Sequence, residues 1–320
     1  MHGLIHRFVE LRRIVPRRLL LYLSLFYVVL AWALNTVLAK QAVTQIDPLA
    51  FTFMRFVVMT PLAFGLAALA RNRVHVERRD IGALIACGAC GYGIYQYFWI
   101  VGLKYTTPFA SSLLGAMSPI FTLAIVAVLG HERVRSGRWL GAVIALLGIA
   151  VFEGAFSGAT SFRLGDLLTL GAAIVFAVYN VISARLLDRY TPLELLAITM
   201  AIGTVMIAPG GIPALAHTNL AAISWGVWWR LLYATLFPIL LTYPVWSYGI
   251  SALGAARASI FSFLVPVLTG LLSVPIVHAR FPRYELVGAA ICLTGMIVSY
   301  LLGRISLTAI WAQRTLPFER

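Results

Sequence analysis

The chain has 320 residues, of which 61% are hydrophobic and 11% charged, and its mean hydropathy is +0.91. A soluble domain carries about 25% charged residues, so these figures exclude a soluble fold and point to a multi-pass membrane protein. The formal net charge of +14 is then not a nucleic-acid footprint, and no nucleic-acid partner is expected. Basic residues in the short loops of such a protein set its orientation instead.

A bilayer core of about 30 Å takes about 20 apolar residues per helix. The first 18 residues are a basic segment with Arg7, Arg12, Arg13, Arg17 and Arg18. The apolar run Leu19 to Leu38 follows, which is longer than a signal-peptide core, so it reads as a retained first helix. Ten segments qualify in all, at about 19–39, 48–70, 81–103, 107–130, 138–155, 165–187, 193–216, 228–250, 256–278 and 284–303. Backbone polar groups in lipid must be satisfied within the chain, so these segments are read as helices. With a cytoplasmic N-terminus, 18 Lys and Arg residues fall on the cytoplasmic side and six on the other, with Arg55 inside the second helix. The expectation is a protein of the plasma (inner) membrane, with both termini cytoplasmic.

The chain repeats itself. Residues 99–151 align without a gap on residues 246–298, with 13 identities in 53 positions. The pairs include Trp99/Trp246, Gly102/Gly249, Ser112/Ser259, Pro119/Pro266, His131/His278, Arg133/Arg280, Gly141/Gly288 and Gly148/Gly295. Upstream, Asn35 pairs with Asn180 and, after a one-residue gap, Pro48 with Pro192. Each half then holds five helices, at 19–155 and 165–303, with a cytoplasmic tail at 304–320. Five is odd, so the second half enters the membrane upside down. The predicted fold is an all-α membrane protein of ten transmembrane helices arranged as two inverted five-helix repeats, with a substrate site near the midplane between them.

With these residues the chain resembles the drug/metabolite transporter superfamily, and within it the EamA type. The resemblance is carried by Trp32-x-x-Asn35 with Lys40 at the helix end and by Asp47-Pro48 leading to Phe53-Met54-Arg55-Phe56. It continues through Gly102-Leu103-Lys104-Tyr105-Thr106, Ser118-Pro119, Glu132, Trp139-x-Gly141 through Gly148, and Gly165-Asp166. The second repeat departs from the first, with Ala279 at the position of Glu132 and no intramembrane Arg matching Arg55. The resemblance implies a ten-helix bundle that moves small metabolites, often outward, with amino-acid export as one activity class.

The candidate pathway residues follow from polarity inside apolar helices. Tyr92, Tyr95, Gln96 and Trp99 share one face of the third helix, and Tyr243 and Trp246 are the repeat partners of Gln96 and Trp99. These stripes suit an amphipathic or aromatic solute, while an interfacial aromatic belt is the structural alternative. Asn35 and Asn180, with Tyr179 beside the latter, must face protein or water because an unpaired amide in hydrocarbon is expensive; helix–helix hydrogen bonding would also satisfy them. Pro119 and Pro266 are expected near the middle of helices, as kinks or hinges that free the Gly115 and Ser262 carbonyls, with Ser112 and Ser262 among the nearby hydroxyls. Arg55 either holds a substrate carboxylate, closes a gate with an acid, or snorkels to the interface.

Other chemistry finds little support. Asp47, Glu132, Glu153, Asp166, Asp188, Glu194 and Glu285 all sit at predicted helix ends, so a facilitator or exchanger is favoured over a carboxylate-driven proton antiporter. Cys87 and Cys90 form a C-x-x-C in a small-residue helix, read as close packing rather than redox or metal chemistry. No H-E-x-x-H, paired Asp or Ser–His lies mid-membrane, so no enzyme activity, cofactor or metal is expected. The partners expected are a small-molecule substrate and the lipid bilayer. The functional expectation is a transporter of small metabolites working by alternating access; the alternatives are a lipid flippase and a non-transporting membrane assembly subunit.

Overall fold

The structure is a computed structural model and describes residues 17–70, 74–128, 136–154, 163–242, 245–246 and 261–304. Among these residues the elements are helices and no strand is present. In chain order they are α1 (Arg17–Ala42), α2 (Pro48–Leu69), α3 (Arg78–Tyr105), α4 (Pro108–Val128) and α5 (Ser136–Phe152) in the first half. The second half has α6 (Leu164–Leu186), α7 (Pro192–Ala216), α8 (Trp225–Leu241), α9 (Leu264–Val277) and α10 (Arg283–Arg304). Among the described residues seven helices are long and apolar enough to cross a bilayer; α5, α8 and α9 are shorter apolar helices of 10–17 residues there.

Several helix starts use the same chemistry. Asp47 accepts from the Leu49 amide at 2.8 Å while Pro48 opens α2. Thr107 with Pro108 and Thr191 with Pro192 repeat this, and Thr191 and Glu194 complete a reciprocal capping pair. A first-turn proline sacrifices nothing, because its missing N–H has no intrahelical acceptor.

Pro119 and Pro266, expected as kinks or hinges, obey the same rule, each lying in the first turn after a break in its helix. α4 is broken at Ala116–Met117, and Pro119 is the second residue of the new helical segment Ser118–Val128. In α9 a turn at Phe263 precedes Leu264, and Pro266 lies in the first turn that follows. The two breaks fall at repeat-equivalent positions, 116 and 263, offset by 147.

The packing of α5 on α10 fixes the relation between the halves. Gly141 lies against Ser299 and Gly148 against Cys292, while Gly288 lies against Phe152 and Gly295 against Ala145. Subtracting the repeat offset turns each pair into the mate of another: Ser299 corresponds to Phe152 and Cys292 to Ala145. Such reciprocal exchange is the mark of a two-fold axis. The first residues of α5 meet the last of α10, so the helices are antiparallel. A two-fold that exchanges antiparallel helices must cut across them, which places it in the membrane plane and makes the repeats inverted. Without a hydrophobic drive between helices in lipid, glycines that let backbones touch are what holds this pair together.

α2 and α7 cross the same axis. Thr60 and Thr204 are repeat equivalents, at the 144-residue offset of Pro48 and Pro192, and their hydroxyls hydrogen-bond each other at 2.7 Å. Thr204 gives its own proton to the Met200 carbonyl, so Thr60 is the donor across the axis. Other contacts follow the same symmetry, with α1 packed on α9 as α6 is on α4. Thr60→Val, Thr204→Val and the double variant should show a coupling of about 0.6 kcal/mol in a double-mutant cycle of unfolding, the size typical of such bonds in membranes. Strict additivity would mean that the two hydroxyls do not interact.

Candidate functional site: a polar layer between the repeats

Two tied ends bracket the centre of the bundle. At one end Lys40 donates to the Leu103, Lys104 and Thr106 carbonyls at 2.6–2.9 Å, capping α3. Gln41 there accepts from Arg230 of α8 at 2.9 Å and donates to the Ile276 carbonyl of α9 at 2.8 Å. Thr106 also bonds Asp166 of α6. At the opposite end Arg189 pairs with Asp80 at 2.5 Å, Tyr190 donates to Asp80 at 3.2 Å, and His75 meets Glu194 at 3.3 Å. Both ends therefore join the first repeat to the second.

Below the Gln41 end lies an apolar plug from α1, α2, α3 and α8, containing Ala39, Ala42, Phe51, Ile100, Leu103 and Ala234. Arg55 lies beneath it, only 1% exposed. Its Nε donates to the Ala234 carbonyl at 3.1 Å, and its guanidinium carbon stands 5.4 Å from the centre of the Phe51 ring. The guanidinium is held inside the bundle, so it does not snorkel to the interface.

The Ala234 carbonyl is available because of Pro238. In a regular helix the amide four residues on would hold it, and proline has none. The chain accordingly widens into a π-helical stretch, Leu236–Leu241. The Pro238 carbonyl in turn accepts from Trp32 Nε1 at 2.8 Å, and the Trp32 ring meets Trp246 in a tilted contact with centres 5.1 Å apart. α3 contains a matching π-helical stretch, Ala89–Ile94, and the two coincide at an offset of 147. In α3 the residue equivalent to Pro238 is Gly91, whose missing Cβ makes room for the Tyr179 ring. π-Helical turns recur at functional sites because they break the regular ladder locally.

The other sequence candidates distribute as follows. Asn35 and Gln96 are buried at 8% and 6% exposure, and neither Asn35 Oδ1 nor Gln96 Oε1 has a protein partner. Asn180 instead donates to Ser118 at 3.5 Å and Thr122 at 3.4 Å, so the two repeat-equivalent asparagines differ in state. Tyr179 is packed between Tyr92 and Phe176, and Tyr95 makes a tilted ring contact with Phe176. Trp99 packs against the apolar plug. Ser112 is spent on the Phe109 carbonyl at 2.9 Å. Ser262 lies just before the α9 break, and Tyr243 lies outside the described residues. The structure thus brings Asn35, Arg55, Tyr95, Gln96 and Trp99 to the first-repeat side of the centre. Ser112 lies on another helix, α4. Cys87, Cys90 and Cys292 are free thiols, and no cluster of metal-ligating side chains occurs among the described residues.

Sequence reading missed Trp32, Tyr233 and Pro238 as members of this centre. Tyr233 donates to the Ala31 carbonyl at 3.2 Å and so helps fix α8 on α1. Pro238 was visible as a proline within an apolar segment, and that was the available signal.

Beyond the end of α5, burial together with the nearby Asp166 and Glu285 carboxylates pushes Glu153 up to about 7, against the opposing pull of Arg163. The folded protein therefore holds this proton more tightly than the unfolded chain does. The Glu153 contribution to stability is full below the ordinary carboxylate value and is lost as pH rises toward about 7. Thermal unfolding should occur at lower temperature at about pH 8 than at about pH 5, and Glu153→Gln should flatten that part of the profile.

Comparison with known proteins agrees with this architecture. A solved crystal structure superposes with a TM-score of 0.64 at 22% identity, covering 88% of this chain and 96% of its own, which shows the fold. The uncharacterized transporter YyaM of Bacillus subtilis is 25% identical over 82% of this chain and 87% of its own length. A probable terminal-alkyne amino-acid exporter of Streptantibioticus cattleyicolor is 29% identical over 72% of this chain and 78% of its own. The aromatic amino acid exporter YddG of Ancylobacter novellus is 26% identical over 87% of this chain and 96% of its own. The EamA-like transporter family matches residues 19–153 and again residues 163–301, once for each inverted repeat, and the chain belongs to that family of membrane transporters.

Proposed function

We propose that this protein exports small amphipathic metabolites, amino acids foremost, by alternating access between its two inverted repeats. The observation that carries this reading is the pair of cross-repeat closures on either side of a buried polar layer. In a two-fold-related bundle, rocking one repeat against the other loosens one closure while tightening the other. The π-helical stretches of α3 and α8, placed symmetrically, supply the local give. The printed names of two relatives, a terminal-alkyne amino-acid exporter and an aromatic amino acid exporter, support this solute class and an outward direction. The excess of basic residues at the Asp80 end supports a cytoplasmic position for that end and for both termini, in the plasma membrane.

The test is efflux from cells loaded with aromatic and branched amino acids, followed by counterflow in vesicles containing the purified protein. The expected result is solute movement that saturates and needs no proton gradient. Vesicles that move none of a broad set of amino acids and aromatic metabolites would end the proposal. A lipid-flipping role has one observation in its favour. An apolar cavity of about 350 Å³ lies between α9 and α10, lined by Phe261, Phe263, Leu264, Val267, Leu293 and Ile297, and could hold an acyl chain. Loss of leaflet asymmetry for labelled lipids in the same vesicles would favour that role.

A further inference from the structure

Three helices of the first repeat each place one polar side chain directly beneath the same apolar plug. Asn35 is four residues from Ala39, Arg55 four from Phe51 and Gln96 four from Ile100, and Ala39, Phe51 and Ile100 belong to one cluster. Four residues span about 6 Å of helix and return to the same face. α1 and α3 run one way and α2 the other, yet in all three the step from plug to polar residue leads away from the Gln41 end. The three polar groups therefore share a level under a common apolar roof.

All three are more than nine-tenths buried, and each has an atom without a protein partner: Arg55 Nη1, Asn35 Oδ1 and Gln96 Oε1. Arg55 Nε is already committed to the Ala234 carbonyl, which aims the guanidinium but leaves it without a counter-charge. Every ion pair among the described residues lies at a helix end or in a loop, and none includes Arg55. No Asp or Glu occurs in the sequence near the depth of Arg55. A buried cation with no protein anion is a large expense unless an anion arrives from elsewhere. The second repeat offers no duplicate: the equivalent of Arg55 is Thr199, whose hydroxyl is spent on the Leu195 carbonyl at 2.6 Å.

We propose that Arg55, Asn35 and Gln96 form a head-group site for a zwitterion. The carboxylate binds Arg55 Nη1, and the amine donates to the two amide oxygens. The site lies in the first repeat alone, so the solute enters with a fixed polarity, its charged end toward α1, α2 and α3. This inference rests on the transport reading and names the chemistry by which the solute is held.

The experiment measures binding to the purified full-length protein by thermal shift and by titration. The probes are leucine, phenylalanine and tryptophan, each beside its amide, with 3-phenylpropionate as the amine-free acid and sodium chloride as a simple anion. The expected result is that at least one free amino acid stabilises the protein, and that its amide binds about tenfold or more weakly, as for loss of a charged hydrogen bond. Arg55→Gln should abolish that discrimination and Arg55→Lys should retain part of it. Asn35→Leu and Gln96→Leu should narrow the gap between phenylalanine and 3-phenylpropionate. Equal binding of acid and amide by the natural protein would overturn the assignment. So would a response to chloride alone, a folded Arg55→Gln protein that discriminates normally, or an absence of binding by all three amino acids. Any of these outcomes in vesicles that still transport another solute would refute the site and leave the transport reading standing.

Discussion

Gly148→Val and Gly295→Val should each unfold the protein at markedly lower temperature, and by similar amounts. A Cβ at Gly148 would stand 2.6 Å from the Cys292 Cα, and one at Gly295 would stand 2.7 Å from the Gly141 carbonyl oxygen and 2.8 Å from the Ala145 Cα. The opposing atoms are backbone, so no rotamer change relieves the clash and the two helices must part. Overpacking of a core typically costs about 1–3 kcal/mol, and a backbone obstacle belongs at the upper end, about 3 kcal/mol. Equality of the two effects is the sharper part of the expectation, because the two-fold makes each contact the mate of the other. Gly65→Ala and Gly82→Ala are the controls: nothing lies within 4 Å of a Cβ at either position, and alanine is the better helix former. Thermal unfolding in detergent of all four variants gives the comparison. If Gly148→Val left the unfolding temperature unchanged, α5 and α10 could not be packed glycine against backbone, and the axis drawn from them would fall.

The inverted repeat was legible in the sequence because paired glycines and prolines are rare against a background of Leu, Ala and Val. Gly141/Gly288 and Gly148/Gly295 then proved to be the residues that touch the opposite helix. The π-helical stretches were not legible. Between residues 89–94 and 236–241 no position is identical, and Gly91 faces Pro238 in the alignment. Glycine and proline disrupt a helix for opposite reasons, one by offering too much backbone freedom and the other too little, so identity cannot register that both serve one backbone feature. The depth of Arg55 was legible, but its orientation was not. The choice between snorkelling and an inward course depended on a free carbonyl at Ala234, which depends on a proline 183 residues further along the chain. The helix breaks lie two to three residues before Pro119 and Pro266. An apolar segment of about 20 residues reads as continuous, and nothing in Gly115-Ala116-Met117-Ser118 announces a turn.

Pro238→Ala tests whether the irregular stretch of α8 serves movement or merely accommodates a proline. Alanine restores an amide at the position that faces the Ala234 carbonyl, where Arg55 Nε now bonds at 3.1 Å. Two donors then compete for that oxygen. A regular α-helical bond has the advantage of proximity within the chain, and removing a helix-interior proline is worth up to about 3 kcal/mol to the helix. Displacing Arg55 from its acceptor offsets part of that gain, since a hydrogen bond from a charged group contributes about 1.5–3 kcal/mol. The net expectation is a protein of equal or slightly higher unfolding temperature, with transport reduced about tenfold or more. Stability bought with lost function marks a backbone irregularity kept for its mobility. Gly91→Ala is a harsher probe of the matching stretch in α3, because a Cβ there would collide with the Tyr179 ring, 2.7 Å away at its Cε2 atom. It should lower both stability and transport, so Pro238→Ala is the variant that separates the two. Transport at the natural rate by a stable Pro238→Ala protein would make the π-helical turn of α8 a passive consequence of its proline, and the symmetric pair of hinges would then have no functional support.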